Sequence, residues 1–159
     1  MESRMGIGYD VHILADGESL VLGGVKIPHD KGIQGHSDGD VLIHAVVDAL
    51  LGAAGLGDMG QFFPSEDDTW KDISSLLFLE KSAEKLLSAG MEIVNVDSTI
   101  IIQEPRITPH KDKMIKKMAG ALSVDPDRIS IKATTTDGLG ITGRGEGVAA
   151  LAVVSLKAS

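Results

Sequence analysis

The stretch Asp40-Val41-Leu42-Ile43-His44-Ala45-Val46-Val47-Asp48-Ala49-Leu50-Leu51 decides the fold, because its pattern is that of a buried helix. Every residue in it is apolar except Asp40, His44 and Asp48, which are spaced four apart and so lie on one side of a helix. The preceding Ser37-Asp38-Gly39-Asp40 supplies N-cap candidates, and glycines 52, 55 and 57 end the helix near Ala53. A buried helix needs a reason to carry a polar stripe, so this stripe is the first candidate for a functional site.

The segments around this helix predict a mixed sheet. Apolar and β-branched patterns predict strands at about 5–13, 92–103, 129–134 and 148–156, and a hairpin at 20–27 that turns at paired glycines. Helical periodicity predicts a second helix at about 70–89 and a third from near Pro109 to about Leu122. The 159 residues show no internal repeat or linker. We therefore expect one α+β domain over residues 1–159, an α/β sandwich with helices covering a mixed β-sheet.

Composition excludes several classes of function. The formal net charge is −8 and aromatic residues make up 3% of the chain, so neither a basic nor a base-stacking nucleic-acid surface is expected. Cysteine is absent, which excludes a thiolate nucleophile and any cysteine-based metal site. The sequence has no apolar run of about 18 residues and no recognisable targeting segment. We expect a cytoplasmic protein without a membrane partner, in which any metal is held by His, Asp or Glu.

Asp10, His12 and His44 form a candidate metal site. Asp10 and His12 are two apart in a predicted strand, so their side chains project from one face. His44 has two interpretations: a core histidine held by hydrogen bonds to Asp40 and Asp48, or a metal ligand whose second ring nitrogen is oriented by a neighbouring group. Three N/O ligands would leave a fourth tetrahedral position open, which is the pattern of catalytic zinc.

The segment Thr134-Thr135-Thr136-Asp137-Gly138, followed by Gly140, Gly143, Gly145 and Gly147, is a candidate phosphate site. Its hydroxyls and glycine backbone could donate hydrogen bonds to phosphate oxygens, and Asp137 could hold a hard cation such as Mg²⁺. The alternative is that threonine simply favours a strand here and glycine a turn. The density of glycines favours binding.

Seven groups of residues, in this order along nearly the whole chain, together resemble the 2-C-methyl-D-erythritol 2,4-cyclodiphosphate synthase family. They are Gly8-Tyr9-Asp10-Val11-His12, Gly23-Gly24-Val25-Lys26-Ile27-Pro28, His36-Ser37-Asp38-Gly39-Asp40-Val41-Leu42-Ile43-His44-Ala45, Gly57-Asp58-Met59-Gly60 with Phe63-Pro64, Asn95-Val96-Asp97-Ser98-Thr99-Ile100-Ile101, Lys132-Ala133-Thr134-Thr135-Thr136, and Gly143-Arg144-Gly145-Glu146-Gly147. The resemblance implies a phosphorus-oxygen lyase of the non-mevalonate isoprenoid pathway. In its reaction the 2-phosphate of 4-diphosphocytidyl-2-C-methyl-D-erythritol 2-phosphate attacks the β-phosphorus and CMP leaves.

The resemblance also implies the roles of individual residues. Zn²⁺ or another divalent transition metal would be held by Asp10, His12 and His44. Mg²⁺ or Mn²⁺, bridging the substrate phosphates, would be held by Asp137. His36 and Thr135 would stabilise the transition state. Asp10, His12, His36, Thr135 and Asp137 would also contact the substrate. Its other contacts would be Ser37, Asp58, Gly60, the loop from Phe63 to Asp67, Ile102, Glu104, Pro105, Arg106, Thr108, Thr134, Thr136, Ile141 and Arg144, with the cytosine pocket in 102–108 and the diphosphate at the threonines.

The family assembles as a homotrimer with active sites between subunits, so the resemblance places Asp10, His12 and His44 of one chain near Thr134–Asp137 of another. Three positions depart from the family pattern: Asp137 stands for Glu, Arg106 for Lys, and Ile141 for an aromatic residue that, with Arg144, would line a hydrophobic channel at the trimer centre. Two other functions remain open. One is a zinc hydrolase acting on a nucleotide diphosphate, and the other is a nucleotide-sensing trimer without turnover.

Overall fold

The computed structural model describes residues 2–35 and 37–159. Its strands are β1 (Ser3–Asp16), β2 (Leu20–Leu22), β3 (Val25–Ile27), β4 (Lys31–Ile33), β5 (Met91–Ile101), β6 (Ile129–Thr134) and β7 (Gly147–Ala158). Its α-helices are α1 (Val41–Ala54), α2 (Met59–Phe62), α3 (Leu76–Ser88), α4 (Lys111–Leu122) and α5 (Gly140–Gly143). Short 3₁₀ turns lie at Asp68–Trp70, Thr108–His110 and Pro126–Arg128.

Five strands form one sheet in the order β4-β1-β7-β5-β6, and the sheet is mixed, as the sequence predicts. β1 and β5 both pair antiparallel with β7, whereas β6 pairs parallel with β5. β2 and β3 form a separate hairpin that turns at Gly23 and Gly24, where φ is 59° and 74°. Positive φ at both turn residues explains the paired glycines.

Helix α1 lies at the centre of the core, against β1, β7 and α3. Every residue of α1 is buried except His44, Asp48 and Gly52. Gly6 and Gly8 make the contact with β1 possible, since a Cβ on either would lie 1.9 Å or 1.8 Å from the carbonyl oxygen of Ala49 or Ala45. This close approach places the helix directly over the even-numbered residues of β1.

The other face of the sheet is apolar and exposed in a single chain. We call it the outer sheet face, and it consists of Met5, Ile7, Tyr9, Val11 and Ile13 of β1 with Leu151 and Val153 of β7. Ile7 pairs with Val153, and Tyr9 pairs with Leu151, so these side chains form a continuous patch across two strands. None of the helices in residues 2–35 and 37–159 has the length and hydrophobicity of a membrane-spanning segment.

The second predicted helix begins later than the sequence suggests, which is a correction. The sequence predicts a helix over 70–89, but α3 begins at Leu76 and residues Asp68–Trp70 form a separate 3₁₀ turn. Asp72 has a φ of 56°, outside the helical region. In addition, the carboxylate of Asp38 accepts the backbone N–H of Ser75 at 2.8 Å, which anchors the residue before α3 to a distant loop. The short elements β4, α2 and α5 were not predicted.

Candidate metal centre and cleft

Asp10, His12 and His44 converge as the sequence predicts. Strand β1 directs Asp10 and His12 to its helix side, and His44 lies in the first turn of α1. Asp10 Oδ2 lies 2.8 Å from His12 Nε2 and 3.1 Å from His44 Nδ1, and the two ring nitrogens are 3.2 Å apart. Within the described residues, no other group of three His, Asp or Glu side chains converges in this way.

These three distances fit a tetrahedral metal ion. Ligand atoms about 2.0 Å from a zinc ion, at tetrahedral angles, are about 3.3 Å from one another. The His12 and His44 nitrogens and the Asp10 oxygen are separated by 2.8–3.2 Å, so little movement is needed to bind an ion between them. One carboxylate oxygen and two imidazole nitrogens are also a donor set that suits zinc. The group can therefore hold a metal ion; which metal it holds stays a prediction.

The electrostatics of the group favour a charged carboxylate. Burial opposes ionisation of Asp10, but hydrogen bonds with His12 and His44 outweigh it and lower the pKa of Asp10 to about 2. The same bond to Asp10 raises the pKa of His12, against the opposing effect of burial. The ionised carboxylate attracts positive charge, which the imidazole protons supply and which a metal cation could supply in their place.

Asp40 and Asp48 do not hold His44, so that interpretation of the polar stripe is wrong. Asp40 is fully buried and accepts the backbone N–H groups of Gly23, Gly24 and Ile43 at 3.0, 2.7 and 3.1 Å. Asp48 accepts the backbone N–H of Met59 at 2.7 Å. The three residues of the polar stripe thus have separate roles. Asp40 caps α1 and anchors the β2–β3 turn, His44 belongs to the metal group, and Asp48 anchors α2.

A cleft of about 430 Å³ opens beside Asp10, His12 and His44. One wall is aromatic, since Phe63, Trp70 and Phe78 pack with ring centroids between 4.7 and 5.9 Å apart. The remaining lining residues are Ser37, Asp48, Asp58, Met59, Gly60 and Ser65. A cleft with a cation site at its floor and both apolar and polar walls can take a phosphorylated organic molecule.

Comparisons with known proteins agree on one family. The YgbB family matches residues 3–157. A 2-C-methyl-D-erythritol 2,4-cyclodiphosphate synthase from Syntrophomonas wolfei is 54% identical over 154 residues, which are 97% of this chain and 98% of that protein. The chain belongs to the 2-C-methyl-D-erythritol 2,4-cyclodiphosphate synthase (YgbB) family. The resemblance found in the sequence is thereby confirmed.

Further relatives and solved structures of the synthase family extend the comparison. The synthase from Moorella thermoacetica is 56% identical over 153 residues, 96% of this chain and 94% of that one. A structure described as IspF from Plasmodium falciparum in complex with CDP has a TM-score of 0.87 at 33% identity, over 99% of this chain and 97% of that one. The bifunctional IspDF of Campylobacter jejuni has a TM-score of 0.95 at 42% identity; this chain spans 43% of its length.

Besides Asp10 and His12, four residues expected to contact substrate in this synthase family line the cleft: Ser37, Asp58, Gly60 and Phe63. Asp58 caps α2 in a capping box with Gln61, which fixes its position at the rim. Asp67 is not among the lining residues; its carboxylate caps the turn Asp68–Trp70 by accepting the N–H of Thr69 at 2.9 Å. His36, expected to be catalytic, lies outside the described residues.

The threonine segment is at the same end of the sheet as the metal group but three strands away. Val11, Ala149, Ile101 and Thr134 are successive partners across β1, β7, β5 and β6. Adjacent strands are about 4.8 Å apart, so Thr134 lies roughly 14 Å from β1 in the plane of the sheet. Thr135 and Asp137 are exposed and hydrogen-bonded to each other, with Thr135 Oγ1 3.3 Å from Asp137 Oδ1. One chain alone therefore does not bring these residues to the metal group.

The other predicted contacts also lie outside the cleft. Ile102 is buried and its N–H donates to the Thr134 carbonyl at 3.0 Å, so the loop that carries Glu104, Pro105, Arg106 and Thr108 begins beside the threonines. Ile141 is exposed on α5. Arg144 forms a bidentate ion pair with Glu146, at 3.0 and 3.2 Å, which raises the pKa of Arg144 and lowers that of Glu146.

Several cleft residues were missed by sequence reasoning. Trp70 and Phe78 line the cleft, and Ser75 contacts His44, yet none belongs to a recognisable motif. Ser65, which also lines the cleft, lies in the loop 63–67 that was expected to contact the substrate. The rarity of aromatic residues was a usable signal: Phe62, Phe63, Trp70 and Phe78 lie within 17 residues and pack together. For Ser75 no such signal exists, because its partner Asp38 is 37 positions away.

Proposed function

We propose that this protein converts 4-diphosphocytidyl-2-C-methyl-D-erythritol 2-phosphate to 2-C-methyl-D-erythritol 2,4-cyclodiphosphate and CMP. It would act in the cytoplasm, in the non-mevalonate route to isoprenoids, as a phosphorus-oxygen lyase built from one domain. The observation that carries the proposal is the convergence of Asp10, His12 and His44 at the floor of the cleft. Family membership and a relative with this synthase name at 54% identity point to the same reaction.

The reaction needs little from the protein beyond positioning and charge neutralisation. An oxygen of the substrate's 2-phosphate forms a bond to the β-phosphorus, and the bond from that phosphorus to the oxygen of the cytidine monophosphate breaks. The electron pair leaves with CMP. Because the nucleophile is already an anion, no protein nucleophile or strong base is required. This agrees with a chain that has no cysteine and whose histidines in the cleft contact a carboxylate.

The residues of the cleft divide between cation binding and substrate binding. A divalent ion held by Asp10, His12 and His44, and a second one at Asp137, would neutralise phosphate charge in a protein of net charge −8. The Ser37 hydroxyl and the backbone of Gly60 can donate to phosphate or hydroxyl oxygens, and Asp58 can accept from the hydroxyls of the erythritol portion. His36 and Thr135 would act on the developing charge of the transition state.

A complete site requires a second chain. The threonine segment and the loop 102–108 would bind the diphosphate and cytosine. The threonines follow β6, three strands from β1, and the loop follows β5, two strands from β1. The outer sheet face offers an apolar surface through which copies of the chain can associate. We therefore propose a homotrimer in which the metal group of one chain meets residues 102–108 and 134–137 of its neighbour, with Ile141 and Arg144 near the common axis.

Phosphorus NMR of the purified protein with the cytidylyl substrate, Zn²⁺ and Mg²⁺ tests the proposal. We expect the resonances of a cyclic diphosphate together with CMP. A zinc hydrolase would instead give an open-chain product, and a nucleotide-sensing protein would leave the substrate unchanged. Either of those two results would overturn the proposed reaction.

A further inference from the structure

His44 carries hydrogen-bonding groups on both edges of its imidazole ring. Nδ1 faces Asp10 and His12, whereas Nε2 lies 3.1 Å from the hydroxyl of Ser75. Ser75 is fully buried at the N-terminus of α3. Its hydroxyl in turn donates to the carboxylate of Asp38, so Asp38, Ser75 and His44 form a continuous chain of polar atoms that ends at the metal group.

The chemistry of these groups fixes the direction of each hydrogen bond. A carboxylate only accepts, so the Ser75 hydroxyl donates its proton to Asp38. The oxygen of Ser75 then has only lone pairs left for His44, and Nε2 must be the donor. When a cation binds, it takes the place of the proton that Nδ1 shares with Asp10. With the other proton held on Nε2 by Ser75, the ring is then the neutral tautomer whose Nδ1 lone pair faces the cation. The chain of contacts therefore selects the tautomer that can bind a cation.

Asp38 also fixes the position of the Ser75 backbone. Its Oδ2 accepts the backbone N–H of Ser75 at 2.8 Å, and its Oδ1 accepts that of Asp40 at 3.1 Å. The hydroxyl of Ser37 is a second neighbour of Nε2, at the longer distance of 3.4 Å, and it also accepts the N–H of Gly39. The better-placed partner of Nε2 is thus Ser75, held by Asp38 through both its backbone and its side chain.

We propose that Ser75, anchored by Asp38, is a positioning residue that sets the tautomer and ring orientation of His44 for metal binding. This inference rests on the proposed metal site. Groups that orient a metal-binding histidine in this way typically change metal affinity by about 10- to 100-fold when they are removed. Because Ser75 follows the segment that carries Ser65 and Trp70, the same contact joins one wall of the cleft to its floor.

The test compares Ser75→Ala with Ser82→Ala. Ser82 of α3 is also fully buried, and its hydroxyl donates to the Phe78 carbonyl at 2.7 Å. Removal of that hydroxyl costs one buried hydrogen bond but changes no contact of His44. Zinc affinity of the full-length protein is measured by competition with a chromophoric chelator. We expect Ser75→Ala to weaken zinc binding by about 10- to 100-fold, and Ser82→Ala to stay within about twofold of the unmodified protein.

Two further measurements separate positioning from general loss of stability. The first is the zinc affinity of Asp38→Asn, which places an amide against the donors of Ser75 and should also weaken zinc binding. The second is the visible absorption of bound Co²⁺, which should change in Ser75→Ala and Asp38→Asn but not in Ser82→Ala. The inference is overturned if Ser75→Ala and Asp38→Asn bind zinc as tightly as the unmodified protein and have the same Co²⁺ spectrum. That result would leave the proposed reaction standing. If the unmodified protein does not bind zinc, the proposed metal site and this inference are both overturned. The proposed reaction is tested separately by phosphorus NMR.

Discussion

His44 is the residue in which the fold and the candidate site meet. It lies in a helix that is otherwise buried on nearly all sides, and its Nδ1 is the only ligand atom of the metal group supplied by that helix. Without it, Asp10 and His12 would still share a strand face, but two ligands from one strand do not enclose an ion. The metal group therefore depends on the contact between β1 and α1.

The substitution His44→Ala tests this dependence. We expect the zinc content of the purified protein to fall from about one ion per chain to almost none, with the far-UV circular dichroism preserved, because the helix retains its apolar contacts. Metal analysis by plasma mass spectrometry measures the loss. His110→Ala, a histidine outside the cleft, is the control and should keep its zinc. Undiminished zinc in His44→Ala would contradict the ligand assignment.

Asp40 makes a pH-dependent contribution to stability. Burial, together with the nearby charge of Asp38, raises the pKa of Asp40 to about 6, against the hydrogen bonds that it accepts. A carboxyl whose pKa is raised in the folded state stabilises the fold fully below its unfolded pKa of about 3.9, and that contribution is lost as the pH rises through 6. The free energy of unfolding that Asp40 supplies should thus fall between pH 5 and pH 7.

Comparison with Asp40→Asn isolates this effect. The variant should be less stable at both pH values, because its amide nitrogen must face a backbone N–H donor of Gly23, Gly24 or Ile43. Denaturant titrations of the metal-free proteins should show that the deficit is larger at pH 5 than at pH 7, by about 1 kcal/mol. A deficit that does not change with pH would show that Asp40 is ionised throughout this range.

At the scale of elements, the packing of β1 against α1 depends on glycine. A Cβ on Gly8 would lie 1.8 Å from the Ala45 carbonyl oxygen, which belongs to the backbone and cannot move aside without displacing the helix. The strand carries Asp10 and His12 two and four residues further on. The distance between strand and helix therefore also sets the distance between these ligands and His44.

We expect Gly8→Ala to lower the free energy of unfolding by about 1–3 kcal/mol, as overpacking against a rigid backbone does. Zinc affinity should fall with it, because the strand must move away from α1. Gly52→Ala is the matched control: Gly52 lies in α1, with nothing within 4 Å of an added Cβ, and alanine there should stabilise the helix by about 0.5 kcal/mol. Denaturant unfolding and chelator competition measure both effects. Equal stability of the two variants would refute the close-packing argument.

Elements with a continuous apolar or alternating pattern were predictable from the sequence, and contacts between distant segments were not. Helix α1 begins and ends within one residue of its predicted bounds, because burial on nearly all sides leaves an apolar run. Asp10, His12 and His44 were predictable as polar residues in apolar surroundings. The start of α3 depends on the contact between Asp38 and Ser75, which no local pattern records. The separation of Thr134 from β1 depends on strand order, which does not follow chain order.

For the whole molecule, the position of the threonine segment and the outer sheet face lead to the same expectation. A single chain keeps Thr134 three strands from β1, and the surface beside β1 that remains exposed is apolar. An apolar patch that spans two strands is unfavourable in water and is typically covered by another protein surface. Association through this face would both bury the patch and supply each cleft with residues from a neighbouring chain.

Ile7→Glu tests this expectation, since Ile7 is 72% exposed and pairs with Val153 at the centre of the outer sheet face. A charge there costs little in an isolated chain but would be buried without a partner in an assembly. By light scattering after gel filtration, we expect the unmodified protein to have the mass of three chains and Ile7→Glu that of one. Leu87→Glu, at an equally exposed leucine of α3 (73%), should remain trimeric.

The monomeric variant should still bind zinc, because Asp10, His12 and His44 belong to one chain, but should lose cyclisation. A monomer with full cyclisation activity would show that one chain contains the whole site.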